Sequence, residues 1–309
     1  MNLNPSTQIN LFEHKEIFNL LCKLYKKDNL PNKILLSGEK GIGKSTLAYH
    51  LINFVLSENE EQPYDYENNI INSENKSYKL IQNKSNPNFH LIDVLEGKKN
   101  IDINQIREII TKLNKSSFNK KKRFVLIDNI ELLNLNSINA LLKILEEPNE
   151  NINFILINNN KRVLPTLKSR CLNFKIFLTK DQSIRIINQL LNDDINTIID
   201  DKLFNYYSTP GKLLKLIRLS NEYNLDLANF DLKATLTTMI NDKIYKKDKS
   251  IIEIIYSFIE LYFRNNISSE NISLLKSYHT YLEKINNTKI YNLDEETLFM
   301  EFEDKILNG

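Results

Sequence analysis

Cysteine is scarce in this sequence. Its only two cysteines, Cys22 and Cys171, lie far apart, and neither belongs to a CxxC pair. They can form neither a disulfide framework nor a structural zinc site of the usual spacing. We therefore interpret both as small apolar core residues. This cysteine usage fits a reducing cytoplasm.

Long apolar runs are missing as well. No stretch approaches the roughly 18 consecutive apolar residues that a membrane-spanning helix needs. The first fifteen residues, MNLNPSTQINLFEHK, lack the basic start and apolar centre of a signal peptide. We expect no membrane association and a cytoplasmic location.

Neither sign of charge dominates the chain. The 41 basic and 39 acidic residues give a net charge of +2. This balance argues against a protein whose whole surface wraps nucleic acid, although it leaves room for a local DNA-facing patch. With 309 residues, 41% of them hydrophobic, the chain can bury a large α/β domain and one or two smaller domains.

Hydrophobic patterning divides the chain into an α/β part and a helical part. Short apolar strands alternate with amphipathic helices up to about residue 178, which predicts a parallel sheet with crossover helices. Helical periodicity alone continues to the end. Residues 57–88 are polar, and we interpret them as an irregular surface segment. The predicted strands are 33–37, 89–95, 123–128, 153–158 and 171–177.

A phosphate-binding motif lies between the first strand and the next helix. Gly38-Glu39-Lys40-Gly41-Ile42-Gly43-Lys44-Ser45 fits G-x-x-x-x-G-K-[ST], and Thr46 follows it. In such a loop, backbone N–H groups and the helix N-terminus surround phosphate oxygens. Lys44 would reach the β- and γ-phosphates, and Ser45 would bind Mg²⁺. The motif predicts binding of ATP with Mg²⁺; the alternatives are a relic loop and an ordinary glycine-rich turn.

The strand at 124–128 (FVLID) ends in a second candidate for the nucleotide site. Asp128 would lie near Mg²⁺ at the carboxyl edge of the sheet; the alternative is a strand-end cap. The next residue is Asn129, whose amide cannot accept a proton as a carboxylate does. We expect no rescue from Glu131, three residues beyond Asp128. The sequence therefore supports ATP binding better than ATP hydrolysis.

Three further segments resemble the AAA+ clamp-loader family of bacterial DNA polymerase III. They are 139–148 (NALLKILEEP), 153–158 (NFILIN) and 164–171 (LPTLKSRC). The resemblance implies that Asn158 stands at the sensor 1 position near the γ-phosphate. It also implies that Arg170 is an arginine finger presented to ATP on a neighbouring subunit, a role suited to a charged, planar guanidinium. Outside this motif, Arg170 would be interpreted as a solvated surface arginine.

Within that family the chain is most similar to the delta-prime subunits. The similar segments are 41–49, 86–92 and 101–110, and residues 208–212 (STPGK) resemble the sensor 2 region, with Lys212 where an arginine is common. The resemblance covers about residues 8–220. It implies an AAA+ P-loop domain at 1–178, a small helical lid at 179–225 and a helical C-terminal collar domain at 226–309.

Two departures favour the delta-prime type over the tau/gamma motor. Many relatives carry four zinc-binding cysteines in the region that corresponds to 57–88, and this chain has none there. We therefore expect no zinc. The motor subunit would have that zinc module and an Asp-Glu pair at positions 128–129. The resemblance thus implies a non-motor subunit that acts with the other clamp-loader subunits (delta and tau/gamma), the sliding clamp and primed DNA.

Two other functions stay open. One is an active AAA+ ATPase motor of the tau/gamma type with an unconventional base. The other is a DNA-binding AAA+ regulator that uses the basic run 120–123 (KKKR). That run is interpreted more simply as a solvated loop before a strand.

Overall fold

The computed structural model describes residues 4–95, 97–113, 121–146, 151–207, 209–248, 250–267 and 272–308. The chain divides into two compact units. The first contains the residues up to 193 together with 209–212, and the second contains 194–208 and the residues from 213 onward. The three-domain division at 178 and 225 stays a prediction.

The first unit is built around a five-stranded parallel sheet with the strand order β2-β3-β4-β1-β5. The strands are β1 Lys33–Ser37, β2 Phe89–Ile92, β3 Arg123–Ile127, β4 Ile152–Asn158 and β5 Leu172–Lys175. Its helices are α1 Lys15–Lys26, α2 Lys44–Leu56, α3 Lys76–Gln82, α4 Ile103–Leu113, α5 Leu135–Glu146, α6 Pro165–Lys168 and α7 Lys180–Leu191.

Helices cover both faces of this sheet. Every residue of β3 and β4 is buried, as expected for central parallel strands covered on both sides. Alternate side chains of β3 enter different cores: Phe124 packs in the cluster that contains α1 and α2, while Val125 packs in the cluster that contains α4 and α5. The edge strands β2 and β5 are only partly buried.

The second unit is helical over its described residues. Its helices are α8 Asp201–Tyr207, α9 Pro210–Tyr223 (whose first residues belong to the first unit), α10 Leu232–Asn241, α11 Ile244–Lys247, α12 Ser250–Asn266, α13 Ile272–Tyr291 and α14 Glu295–Phe302, followed by a π-helical turn at Glu303–Leu307. Phe258, Phe263, Phe299 and Phe302 are fully buried in its core. A parallel α/β unit followed by an all-helical region confirms the predicted fold class.

The segment predicted as irregular, residues 57–88, is more ordered than its composition indicates. It contains α3, and it buries Tyr64, Ile71 and Ile81 in the core beside α2. Asn75 caps α3 by accepting a hydrogen bond from the Tyr78 backbone N–H. The segment, which lies wholly within the described residues, therefore has no helix or strand before α3, as predicted, but it is held to the core by apolar residues and contains a capped helix, which was not predicted.

Several predicted boundaries also shift. The second strand ends at Ile92 instead of residue 95, and the fifth runs from Leu172 to Lys175 instead of 171–177. The carboxyl end of the NALLKILEEP motif, Glu147 and Pro148, lies outside the described residues.

Candidate nucleotide-binding site

The glycines of the phosphate loop are required by its backbone. Gly41 and Gly43 have φ angles of 90° and 89°, in the left-handed region that glycine adopts most readily. A Cβ atom at Gly38 would lie only 2.2 Å from the carbonyl oxygen of Ile176. Helix α2 begins at Lys44, directly after Gly43. Its amino end therefore faces the loop, as anion binding requires.

The Lys44 side chain spans this loop. It is buried, and Nζ donates hydrogen bonds to the carbonyl oxygens of Gly38 (3.0 Å) and Glu39 (2.5 Å). Burial lowers the pKa of Lys44 to about 8, and the nearby Asp128 and Glu131 oppose this shift. An ammonium at this position provides the charge and the donors that phosphate oxygens bind.

Ser45 and Asp128, the two predicted Mg²⁺ ligands, lie together. The Ser45 hydroxyl at the start of α2 donates to Asp128 Oδ2 across 2.6 Å, and Asp128 directly follows β3. Burial raises the pKa of Asp128, and its hydrogen bond with Ser45 opposes the rise. One carboxylate and one hydroxyl oxygen suit Mg²⁺, which uses few protein ligands beside phosphate oxygens and water. The donor set therefore fits the predicted ion.

Asn129 belongs to a row of hydrogen-bonded side chains at the carboxyl edge of the sheet. Its Nδ2 donates to Asp93 Oδ1 (2.7 Å), and its Oδ1 accepts from Asn159 Nδ2 (2.8 Å). Asn159 also donates to Glu131, through Nδ2 to Oε1 (2.8 Å) and through its backbone N–H to Oε2 (3.2 Å). We call these four residues the amide–acid row. Both of its carboxylates are held by amides.

The row contains two residues that sequence reasoning missed, Asp93 and Asn159. Asp93 directly follows β2 as Asp128 follows β3. Neighbouring parallel strands end at the same edge of a sheet. The position of Asp93 at the end of an apolar strand was therefore a signal in the sequence that it lies near Asp128. The predicted sensor 1 residue, Asn158, has its side chain in a local turn with Lys161, donating to the carbonyl oxygen (3.0 Å) and accepting from the N–H (3.3 Å). Its role near the γ-phosphate stays a prediction.

Residues 209–212 of the first unit lie directly against the phosphate loop. The Gly211 N–H donates to the carbonyl oxygen of Gly41 (2.8 Å), and Thr209 Oγ1 donates to that of Lys40 (3.0 Å). A Cβ atom at Gly211 would lie 2.7 Å from Gly41 Cα, so glycine is needed for this approach. The predicted sensor 2 residue, Lys212, is exposed in the first turn of α9. Ser208 lies outside the described residues.

Arg170 lies in the turn between α6 and β5, where its side chain is partly exposed. Its Nη1 donates to the carbonyl oxygen of Thr166 (2.9 Å), and its Nη2 pairs with the Glu146 carboxylate at the end of α5. These partners come from α5 and α6 and not from the phosphate loop of the same chain. Such a position leaves the guanidinium accessible, and its trans-acting role stays a prediction.

The basic run at 120–123 is engaged within the first unit over its described part. Arg123 is buried at the start of β3, and its guanidinium donates to the carbonyl oxygen of Leu113. Lys121 donates to the carbonyl oxygen of Leu56, and Lys122 lies 3.7 Å from Asp28. Lys120 lies outside the described residues. These contacts disfavour the use of the run as a DNA-binding patch.

Hydrogen-bonded polar pairs join α2 to the segment 57–88. Asn53 and Asn75 exchange hydrogen bonds through their side chains, and His50 Nδ1 lies 2.8 Å from the Tyr64 hydroxyl. Among the residues that the structure describes, no three His, Cys, Asp or Glu side chains converge as a metal site. The expectation of a zinc-free protein stays a prediction. Within the same described ranges, none of the helices combines the length and the apolarity needed to cross a bilayer.

Comparison with known proteins points to one replication family. A family model described as DNA polymerase III, delta subunit, matches residues 13–179, which is more than half of the chain. This range contains the phosphate loop, Asp128, the amide–acid row and Arg170.

Individual relatives cover different parts of the chain. The DNA polymerase III subunit gamma of Buchnera aphidicola subsp. Schizaphis graminum is 26% identical over 235 residues, covering 75% of this chain and 62% of that protein. The subunit delta' of Pseudomonas aeruginosa is 32% identical over 138 residues, covering 44% of this chain and 40% of that protein. The matches thus span less than two thirds of either relative. A gamma subunit-related protein of known structure from Thermotoga maritima is 21% identical, covers 91% of this chain and 96% of its own, and aligns with a TM-score of 0.49.

Proposed function

Since this chain belongs to the family of DNA polymerase III delta subunits, which are AAA+ clamp-loader proteins, we propose that it is a clamp-loader subunit of the delta-prime type. In this proposal it binds ATP with Mg²⁺ at residues 38–46 and hydrolyses it slowly or not at all. It assembles with delta and tau/gamma subunits, and it presents Arg170 to ATP on a neighbour. The assembly opens a sliding clamp and releases it on primed DNA.

The non-motor assignment rests on the position of Asn129 and on the hydrogen bonds of its side chain. This residue stands directly after Asp128, where a motor would need a carboxylate to polarise the attacking water. Its amide is already bonded on both sides, to Asp93 and to Asn159. An amide held in this way can orient its neighbours, but it cannot accept a proton from water.

Nucleotide binding is supported by the loop and its surroundings. The loop backbone, the buried Lys44 and the Ser45–Asp128 pair supply donors for phosphate and oxygen ligands for Mg²⁺. A bound nucleotide and its metal ion would place phosphate charge and Lewis acidity at this edge of the sheet. The chain's own residues would bind the phosphates and orient the loop.

A gamma-type motor is the second candidate, and one observation favours it. The amide–acid row places a carboxylate, Asp93, next to Asn129. Turnover separates the candidates: a rate near 1 s⁻¹ for the isolated chain, on the order of ordinary enzymes, would favour the motor.

Reconstitution tests the main proposal. The full chain is mixed with the delta and tau/gamma subunits of its own organism and analysed by gel filtration and native mass spectrometry. We expect a stoichiometric complex that loads the sliding clamp on primed DNA, with loading reduced when this chain is omitted. A chain that elutes alone, or clamp loading that is unchanged by its omission, would refute the proposal.

A further inference from the structure

His14 is a buried side chain beside the phosphate loop with no role in the function proposed so far. It immediately precedes α1 and is only 6% exposed. Its Nε2 lies 2.5 Å from the carbonyl oxygen of Ile42. The ring also borders Gly43, where a Cβ atom would lie 3.3 Å from Nε2. The imidazole thus packs against the two residues that precede Lys44.

The chemistry of the contact assigns its donor. A carbonyl oxygen can only accept a hydrogen bond, so Nε2 carries the proton and donates it. Burial lowers the pKa of His14, and the hydrogen bond with Ile42 and the charge of Glu13 oppose this shift. The neutral ring therefore keeps its single proton on Nε2, as the contact requires.

Peptide geometry transmits this hydrogen bond to the loop. The Ile42 carbonyl and the Gly43 N–H belong to one peptide group, and no cis peptide bond occurs among the described residues. In a planar trans peptide the C=O and the N–H point in opposite directions. When His14 holds the Ile42 carbonyl on its side of the loop, the Gly43 N–H must point to the other side.

We propose that His14 is a positioning residue of the nucleotide site, which orients the Gly43 N–H toward the phosphates of a bound nucleotide. The inference rests on the proposed nucleotide binding and deepens it. Such a contact is needed at position 43 because glycine, which has no Cβ, has the widest choice of backbone conformations. Because the Gly43 N–H is already oriented, less conformational entropy is lost when the phosphates bind.

The segment that carries His14 is itself anchored. Glu13 adopts a left-handed backbone conformation with φ of 58°. Its carboxylate accepts two hydrogen bonds from Arg185 of α7, from Nε (2.8 Å) and from Nη2 (3.1 Å). The imidazole therefore projects from a chain segment that is held on both sides, by α1 and by α7.

A pair of amide substitutions isolates the hydrogen bond. In His14→Gln the side-chain N–H can reach the position of Nε2, whereas in His14→Asn it is too short. We expect His14→Asn to weaken MgADP and MgATP binding about tenfold, or about 1.4 kcal/mol, which lies within the range of one hydrogen bond. His14→Gln should restore most of the affinity. Calorimetry at a temperature well below every melting point measures both dissociation constants.

His50 provides the matched control for loss of a buried histidine. It is fully buried in the same core and lies near Tyr64 and the carbonyl oxygen of Gln8, away from the loop. His50→Asn should lower the melting temperature without changing nucleotide affinity. Labelling with ¹⁵N-glycine gives a direct readout, because the chain contains only six glycines. The Gly43 amide signal should shift on nucleotide addition in the wild type and in His14→Gln, and less in His14→Asn.

Three outcomes of the comparison between variants would overturn the inference. They are equal affinities for wild type and His14→Asn, a loss that His14→Gln does not reverse, and a loss that His50→Asn reproduces. A wild-type chain that binds no nucleotide would also overturn it. Assembly with the other loader subunits is measured separately, so a failure of the clamp-loader proposal is distinguishable from a failure of the His14 role.

Discussion

The side-chain amide of Asn129 donates a hydrogen bond to the carboxylate of Asp93, with 2.7 Å between Nδ2 and Oδ1. The two residues follow adjacent parallel strands, β3 and β2. This relationship places an amide directly after Asp128 and a carboxylate one strand away. A carboxylate introduced at position 129 would therefore lie beside Asp93, and this limits the gain in ATP hydrolysis that it can bring.

Asn129→Glu alone should not create an efficient ATPase. The new carboxylate would face Asp93, and like charges at this distance repel. Asn129 also has a φ of 54°, which asparagine tolerates better than glutamate does. We expect a loss of about 1–2 kcal/mol in the free energy of unfolding, measured by urea denaturation, and little gain in single-turnover hydrolysis.

Exchanging the two groups provides the control for this prediction. Asp93→Asn combined with Asn129→Glu should recover stability, with a coupling energy on the order of 0.5–3 kcal/mol. Additive effects of the two substitutions would show that the Asp93–Asn129 contact does not matter. A large rate increase in Asn129→Glu alone would contradict the expected repulsion.

Nucleotide affinity should fall as pH rises above about 8, the value to which burial lowers the pKa of Lys44. Below this pH the free protein already carries the ammonium that attracts phosphate. Above it the lysine is largely neutral, and binding must take up a proton because the phosphates favour the charged form. The dissociation constant should therefore rise up to tenfold per pH unit until the pKa of the bound state is reached.

Calorimetry in two buffers of different ionisation enthalpy should detect that proton uptake. Residual binding by Lys44→Arg should show none, since a guanidinium does not titrate in this range. A wild-type dissociation constant that stays constant between about pH 7 and 9.5 would refute the assignment of this titration to Lys44.

Asp128→Asn should weaken Mg²⁺ binding without lowering the stability of the protein when no nucleotide is bound. Burial raises the pKa of Asp128, which means that the buried carboxylate is costly at neutral pH when no cation is bound. We expect an unchanged or higher melting temperature without nucleotide. The effect of Mg²⁺ on ATP affinity should fall about tenfold or more, or about 1.4 kcal/mol. An unchanged Mg²⁺ effect would exclude Asp128 as a ligand of the metal site.

Arg170→Ala should leave this chain's own nucleotide affinity unchanged and reduce ATPase activity in the assembled loader. An arginine finger contributes on the order of 10³–10⁵ in rate at the site that it faces. The loss for a loader with several sites should be smaller. Arg170→Lys should rescue poorly because it lacks the planar fork. Phosphate release is followed with motor subunits, clamp and primed DNA.

Glu146→Gln is the control for the ion pair that holds Arg170 in the free chain. Because the pair is partly exposed, its loss should change stability little, and it should not reduce loader activity. Equal loader rates for Arg170→Ala and wild type, with assembly confirmed by gel filtration, would show that Arg170 is only a surface arginine.

Local sequence patterns were sufficient to predict the backbone of the nucleotide site. The spacing of Gly38, Gly43 and Lys44 predicted a loop between a strand and a helix, and the structure has that loop between β1 and α2. The apolar run before Asp128 predicted a central strand, and β3 is completely buried. Such signals are readable because backbone conformation and strand burial depend on residues that are close in sequence.

Contacts between residues that are far apart in sequence could not be predicted from such local patterns. No motif in the sequence marked His14, and its contact with Ile42 depends on how the segment before α1 packs beside the loop. The bond between Asn159 and Asn129 depends on the pairing of β3 with β4. In an asparagine-rich sequence nothing marked Asn159 above its neighbours Asn158 and Asn160.

The sequence by itself determined the α/β and helical parts, the phosphate loop and the absence of a carboxylate at position 129. These follow from residue identity, glycine spacing and hydrophobic period, all of which act over a few residues. Only the tertiary structure decided that Asn129 is held between Asp93 and Asn159, that Gly211 contacts Gly41 and that His14 contacts Ile42. Those contacts join segments that only the packed sheet and its helices bring together, because hydrogen bonds depend on distances and directions in space and not on separation along the chain.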